Sequence, residues 1–197
     1  MREGFVALIN REKDLAVCGQ AASAAEAFKL ISSTRPNLVI ADLMLNEGNG
    51  LDLVKMARQL YPDLPFLIIS MQDEEIYAER CIKAGASGYI MKRSATDEFL
   101  DAIHTIMDGE IYLSKKMNAM LLRRMAGSGG APNTGLESLT DRELQIYQLI
   151  GAGLTTRDIA PRLGISPKTV ATHRENIKIK LGLKDGRALL HAAMSQK

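Results

Sequence analysis

Short apolar runs alternate with helical patterns over residues 1–107 of the chain. Four runs, at 15–18, 37–41, 66–70 and 88–91, have the length and the bounding residues of strands. Apolar residues spaced by three and four predict helices over 1–10, 24–31, 51–60, 74–84 and 95–107. Because the strand runs are continuously apolar, they indicate a parallel sheet covered on both faces. An open α/β domain is therefore predicted for this part of the chain.

The stretch 127–138, GSGGAPNTGLES, predicts a flexible linker, and every segment after it reads as helix. Side chains suited to capping begin four short helices, at Thr140, Thr155, Ser166 and Asp185. Pro161 falls at the sixth position of the second of these helices, where it predicts a kink or an early end. The segment is therefore predicted to be a small all-α domain.

Charge divides the chain unequally. Residues 1–124 carry 15 basic and 17 acidic side chains, a net charge of −2, whereas residues 136–197 carry 10 basic and 6 acidic side chains, a net charge of +4. The C-terminal part is therefore the candidate for a polyanionic partner.

The two cysteines and the apolar runs indicate where the protein is found. Cys18 and Cys81 form no CxxC spacing, so we expect two inert core thiols and a reducing compartment. With no apolar run long enough to span a bilayer and no signal-peptide pattern, the sequence predicts a soluble cytoplasmic protein without a membrane partner.

Three reactive side chains stand at the ends of predicted strands. Asp42 follows the run 37–41, Ser70 ends the run 66–70, and Lys92 follows the run 88–91. In open α/β sheets, sites form at the carboxyl ends of the strands, so these residues should converge. A carboxylate, a hydroxyl and an ammonium together suit phosphoryl transfer to the carboxylate. Gly48 and Gly50 would permit a tight loop after Asp42.

Three strings surround these residues: PNLVIADLMLNEGNGLDL, FLIIS and GASGYIMKRS. They resemble the receiver part of the two-component response regulators of the LuxR/NarL type. This resemblance implies that Asp42 accepts a phosphoryl group from a sensor histidine kinase, with Ser70 and Lys92 assisting and Tyr89 as an aromatic switch. It also implies a flavodoxin-like (CheY-like) receiver over 1–114, a helical extension and linker over 115–135, and a LuxR-type helix-turn-helix domain over 136–197.

The chain departs from the receiver pattern at its start. The family begins with a strand followed by paired acidic residues that hold Mg²⁺, whereas this sequence starts at the next helix. The expected Mg²⁺ site is therefore weak, with Asp42 and the backbone carbonyl of Met44 as its remaining ligands. We expect either a protein that begins further upstream, with this sequence truncated, or a degenerate receiver that repacks or dimerises.

Helix-turn-helix spacing is found over residues 154–182, LTTRDIAPRLGISPKTVATHRENIKIKLG. This segment resembles the LuxR/NarL output domain. On a helical wheel, Val170, Ile177 and Leu181 face the core. The opposite side is predicted to read bases in the major groove, and one flank to contact phosphates. The base-reading side comprises Lys168, Ala171, Thr172, Glu175 and Ile179, and the flank comprises Thr169, His173, Asn176 and Lys180.

We therefore expect a DNA-binding transcription regulator that is controlled by phosphorylation and forms homodimers on double-stranded DNA. The family resemblance assigns dimerisation to the last helix, where Leu189, Ala192 and Ala193 form a stripe; the alternative is that this stripe packs inside its own domain. A second candidate is a phosphorylation-independent regulator with a degenerate receiver. An enzymatic candidate, an aspartyl-phosphate hydrolase, would need an acid where Met44 stands.

Overall fold

The structure is a computed structural model that describes residues 2–45, 49–94, 96–126 and 135–195. The chain divides into two compact units, Met1–Ala126 and Gly127–Lys197. Gly48 and most of the predicted linker, residues 127–134, lie outside the described residues. Across the described ranges, no helix has both the length and the apolar character that crossing a membrane requires.

The first unit is built on a parallel sheet. Its described strands are β1 (Val39–Asp42), β2 (Phe66–Ser70) and β3 (Gly88–Met91), which pair in the order β1-β2-β3. The register aligns Asp42 with Ile69, and Ser70 with Met91. All five residues of β2 are buried, so both faces of the sheet are covered. The prediction of a parallel sheet covered on both faces is confirmed.

Helices surround this sheet and follow the predicted pattern. Their bounds are α1 (Arg2–Ile9), α2 (Ala24–Thr34), α3 (Gly50–Leu60), α4 (Glu74–Lys83), α5 (Thr96–Met107) and α6 (Lys115–Met125). One core cluster joins Leu67, Ile69 and Ile90 of the sheet to Phe99 and Ile103 of α5. Phe5 of α1 extends this cluster, because its ring centroid lies 4.6 Å from that of Phe99.

The strand expected at 15–18 is not formed, and that prediction is wrong. Residues 15–20 have no regular secondary structure, and no described strand lies beside them to complete a hydrogen-bond ladder. A run with strand-like composition is not a strand without a neighbouring strand to pair with, and the N–H of Val17 donates instead to Asn10 Oδ1 at 3.3 Å. Cys18 is consequently exposed, so only Cys81 is the core thiol that the sequence predicted.

The second unit is helical in its described part. A 3₁₀ turn at Gly135–Ser138 precedes α7 (Asp141–Gly151), α8 (Thr156–Arg162), α9 (Pro167–Lys180) and α10 (Gly186–Met194). Thr140 with Glu143 and Thr155 with Asp158 form capping boxes, and Ser166 and Asp185 cap the other two helices, as predicted. The helix containing Pro161 is only seven residues long, which agrees with the expected early end.

Candidate phosphorylation and DNA-reading sites

Asp42 and Lys92 meet at the carboxyl edge of the sheet, as predicted. Asp42 ends β1, and the Lys92 ammonium forms an ion pair with its Oδ2 atom. The other carboxylate oxygen, Oδ1, accepts a hydrogen bond from the backbone N–H of Met44 at 3.0 Å. The Asp42 side chain is 29% exposed and that of Lys92 is 13% exposed. The carboxylate is therefore accessible, while its counter-charge is fixed in place.

Ser70 and Tyr89 converge on the main chain of one residue, Gln72. The backbone N–H of Gln72 donates to Ser70 Oγ at 3.1 Å, and the Tyr89 hydroxyl donates to the Gln72 carbonyl at 2.8 Å. Ser70 and Tyr89 are both buried. Burial raises the pKa of the Tyr89 hydroxyl well above its ordinary value, although a hydrogen bond with Ser70 opposes this, so the group remains a proton donor.

Gln72 connects these two side chains to the start of α4. The next residue, Asp73, caps α4 by accepting from the backbone N–H of Glu75 at 3.0 Å. Glu75 in turn forms an ion pair with Lys116 of α6. A short segment thus links the edge of the sheet to two helices. The sequence did not indicate this role of Gln72, because its contacts use main-chain atoms, which do not depend on the residue type.

Gly50 has a different role from the one predicted. It is the first residue of α3 rather than a loop residue, and Asn49 caps this helix by accepting from the backbone N–H of Leu51 at 2.9 Å. A Cβ atom on Gly50 would overlap the carbonyl oxygen of Asp42. Glycine is therefore needed for close approach between α3 and the end of β1, and the expectation of a glycine-dependent loop turn is wrong at this position.

The described residues around Asp42 do not by themselves form a Mg²⁺ site. In the part of the chain that the structure describes, no three His, Cys, Asp or Glu side chains gather in a way that could hold a metal ion. Both carboxylate oxygens of Asp42 have partners, in Lys92 and in the backbone N–H of Met44. Mg²⁺ in proteins is held mainly by oxygen ligands in near-octahedral geometry. The predicted pair of ligands, Asp42 and the Met44 carbonyl, is an insufficient set.

Helix α9 presents the two sides that the helical wheel predicted. Val170 and Ile177 are fully buried and Leu181 is half-buried, whereas Ile179 is 78% exposed. The Thr172 hydroxyl donates to the Lys168 carbonyl at 3.1 Å, so it is occupied within the helix. The predicted base-reading side is exposed throughout, at Lys168, Ala171, Thr172, Glu175 and Ile179.

In two residues of the predicted phosphate-contacting flank, polar atoms that the wheel left open to DNA are paired or buried. Lys180 Nζ lies 2.6 Å from Oε2 of Glu143, which is almost fully buried in α7. His173 Nδ1 is buried and makes no hydrogen bond within the described residues, which leaves Nε2 for any external contact. The other members of this flank, Thr169 and Asn176, are exposed.

The apolar stripe of α10 packs within its own unit. Leu189 and Ala193 are buried and Ala192 is half-buried, and α10 packs against α7 and α9. The stripe is therefore not a free dimerisation surface, and the alternative interpretation of it is correct. The apolar side chains that α10 exposes are instead Leu190 and Met194.

Comparison with known families accounts for most of the chain. Residues 1–104 match the response regulator receiver domain, and residues 137–193 match the bacterial regulatory proteins of the luxR family. The chain is a LuxR-type response regulator. This family consists of DNA-binding transcription regulators, so the enzymatic candidate is wrong. Receivers of this family generally bind Mg²⁺ for phosphorylation.

Similar proteins agree with this family. The oxygen regulatory protein NreC of Staphylococcus epidermidis is 33% identical over 203 residues, covering all of this chain and 93% of that protein. NreC of Staphylococcus carnosus is 32% identical over 202 residues with the same coverage. RcsB of Salmonella enterica, bound to promoter rprA in the presence of phosphomimetic BeF₃⁻, shares the fold with a TM-score of 0.71 at 19% identity, covering 98% of this chain and 92% of RcsB.

Proposed function

We propose that Asp42 of this response regulator accepts a phosphoryl group from a sensor histidine kinase and that phosphorylation raises DNA binding by the helix-turn-helix unit. The observation that carries the proposal is the accessible Asp42 carboxylate, held against the Lys92 ammonium at the carboxyl edge of the sheet. Ser70, at the end of the neighbouring strand, adds a hydroxyl at the same edge. An accessible carboxylate with a fixed cation beside it suits phosphoryl transfer.

The transfer exchanges one bond to phosphorus for another. An Asp42 oxygen attacks the phosphorus of a phosphohistidine, the P–O bond forms, and the P–N bond breaks. The imidazole nitrogen keeps the electron pair of the broken bond and takes a proton from solvent. Lys92 then pairs with the phosphoryl oxygens in place of the carboxylate.

Transmission from Asp42 would use the segment at Gln72. Rotation of the Ser70 side chain that lets its O–H donate to a phosphoryl oxygen would move the Oγ atom that accepts from the Gln72 N–H. Tyr89 holds the carbonyl of the same residue, so it would follow a movement of this segment. Asp73 and Glu75 extend the segment to α4 and α6. The effect on DNA binding is then a shift between two populations of the protein.

DNA reading would use the exposed side of α9. Ala171 and the Thr172 methyl group suit contact with a thymine methyl group, and Glu175 suits acceptance from a cytosine amino group. Lys168, which the wheel places on the base-reading side, stands at the start of the helix, where we assign it to a phosphate rather than to a base. Contacts to phosphates that fix the register would come from the flank, at Thr169, His173, Asn176 and Lys180.

We further propose that this regulator acts as a homodimer on double-stranded DNA in the cytoplasm. One solved structure contains two RcsB dimers bound to two parallel DNAs. In the present chain, Leu190 and Met194 expose apolar surface on α10 that a partner could cover. The proposed domains are a receiver over 1–114, a helical extension and linker over 115–135, and the DNA-binding domain over 136–197.

Phosphorylation of the purified full chain tests the proposal. Incubation with acetyl phosphate and Mg²⁺ should add one phosphoryl group, measured by intact mass, and should raise affinity for a selected DNA duplex by about tenfold, a typical allosteric coupling. Asp42→Asn should gain no mass and show no change in affinity, whereas Asp52→Asn, in α3, should behave like the parent. Absence of a mass gain in the parent would contradict phosphorylation control and favour a phosphorylation-independent regulator.

A further inference from the structure

Glu175 on the DNA-reading side of α9 is held by a lysine one helical turn further along. Lys178 Nζ lies 2.8 Å from Glu175 Oε2. The two side chains differ sharply in exposure, since that of Lys178 is 19% exposed and that of Glu175 is 65% exposed. The lysine is therefore largely fixed by packing, and the carboxylate is the exposed partner of the pair.

A carboxylate on a surface that meets DNA faces a physical difficulty. The phosphate backbone repels a negative charge, and a freely rotating glutamate also loses side-chain entropy when it contacts a base. A lysine at 2.8 Å reduces both costs, because it neutralises the charge and restrains the side chain. The ion pair is made through Oε2, which assigns Oε1 to accept from a cytosine amino group.

The neighbouring lysines of α9 differ from Lys178 in their surroundings. Lys180 pairs with Glu143 of α7, so its ammonium has a partner inside the unit rather than on the base-reading side. Lys168 stands exposed at the start of the helix, two turns before Glu175. Of these three lysines, Lys178 is the one that forms an ion pair with a residue of the proposed base-reading side.

We propose that Lys178 is a positioning residue for DNA sequence discrimination, which orients and neutralises Glu175 so that one carboxylate oxygen can read a base. The inference rests on the proposed DNA-reading role of α9. It predicts that the contribution of Lys178 to discrimination is made through Glu175. A lysine that only contacted a phosphate would instead act independently of Glu175.

The test is a double-mutant cycle on the full chain with a defined DNA probe. Selection from a double-stranded library with a randomised central segment gives the preferred duplex. The base pair at which Glu175→Gln relaxes the preference is then replaced by each of the other three pairs. Relative affinities for these four duplexes are measured for the parent, Lys178→Met, Glu175→Gln and the double variant. Lys168→Met serves as the matched control, and Lys178→Arg is the conservative variant.

We expect Lys178→Met to reduce the preference at that base pair by about fivefold and Lys178→Arg to keep most of it. The added effect of Lys178→Met in the Glu175→Gln background should be less than about twofold. Lys168→Met should weaken all four duplexes alike. Melting curves confirm that each variant is folded, and Lys178→Gln replaces the methionine variant if that one is unfolded.

The outcomes separate this inference from the proposed function. Selective binding with additive effects of Lys178→Met and Glu175→Gln would overturn the positioning role and leave the DNA-reading role intact. Equal loss of affinity for all four duplexes in Lys178→Met would also overturn it, because that is the behaviour of a phosphate contact. If the parent chain bound DNA without any sequence preference, the proposed base-reading role and this inference would both be wrong.

Discussion

Glu143 shows how a buried charge is retained in the second unit. Burial alone would raise the pKa of Glu143, but hydrogen bonds from Lys180 and from Thr140 outweigh it and hold that pKa below its ordinary value. The residue therefore contributes stability above the pKa of an unfolded glutamate, about 4.3, and loses this contribution as pH falls through the lower folded pKa. Lys180 is thus a structural residue whatever its contact with DNA.

Replacement of Lys180 by methionine should destabilise the second unit by about 2 kcal/mol at pH 7, because a buried carboxylate is left without its cation. The loss should shrink towards pH 4, where the unpaired carboxyl group takes up a proton. Amide hydrogen exchange in α7 and α9, corrected for intrinsic rates, measures both effects. Lys168→Met is the matched control and should leave protection unchanged. A loss that did not vary with pH would contradict the ion-pair account.

A residue of the candidate site could be predicted from the sequence where its position at the end of a strand determines its place in the fold. Asp42 and Lys92 follow apolar runs, so the pattern of the chain was enough to predict their convergence. Glu175 was predicted from the wheel, but its partner Lys178 was not, since burial of a lysine depends on neighbouring helices. The spacing of three residues was the one available signal of that pair.

At the scale of elements, helix caps could be predicted from the sequence, whereas strand pairing and helix packing were predicted less well. The capping boxes at Thr140 and Thr155 involve residues only three apart, so the sequence contains all that they need. A strand depends on a neighbour that can be distant in the chain, which is why residues 15–18 were wrongly predicted. The inward packing of Leu189 and Ala193 was likewise decided by another helix, α7.

The contact between α7 and α10 depends on Gly151. A Cβ atom at this residue would lie 2.5 Å from the carbonyl oxygen of Ala193, which is main chain and cannot rotate away. Gly151→Ala should therefore destabilise the second unit by about 2 kcal/mol, as overpacking of a core does. The midpoint of chemical denaturation checks this.

Gly186→Ala is the matched control for Gly151, since its added Cβ would meet only the end of the Arg174 side chain, at 4.0 Å. It should leave stability unchanged or raise it slightly. Equal stability of the two alanine variants would show that α7 and α10 have room to separate.

At the scale of the whole molecule, the net charge of +2 conceals an acidic N-terminal part and a basic C-terminal part. Attraction to a polyanion should therefore come from the second unit.

Salt dependence of binding to a random-sequence duplex tests this distribution in the full chain. Lys168→Gln combined with Lys184→Gln should make the slope of log affinity against log salt shallower by about one for each phosphate that a lysine no longer neutralises. Lys13→Gln combined with Lys29→Gln removes the same charge from exposed residues of the first unit and should leave the slope unchanged. Equal changes from both pairs would mean that net charge, rather than its location, governs attraction.

The hydrogen bonds to Gln72 bear on which residues evolution can accept at this position. Ser70 and Tyr89 bond to the N–H and the carbonyl of this residue, which are groups that every amino acid except proline provides in full. The side chain at this position can therefore change over generations while the link between the sheet edge and α4 persists. The main-chain hydrogen bonds at this position can be kept while its residue type changes, so a comparison of residue types would not reveal them.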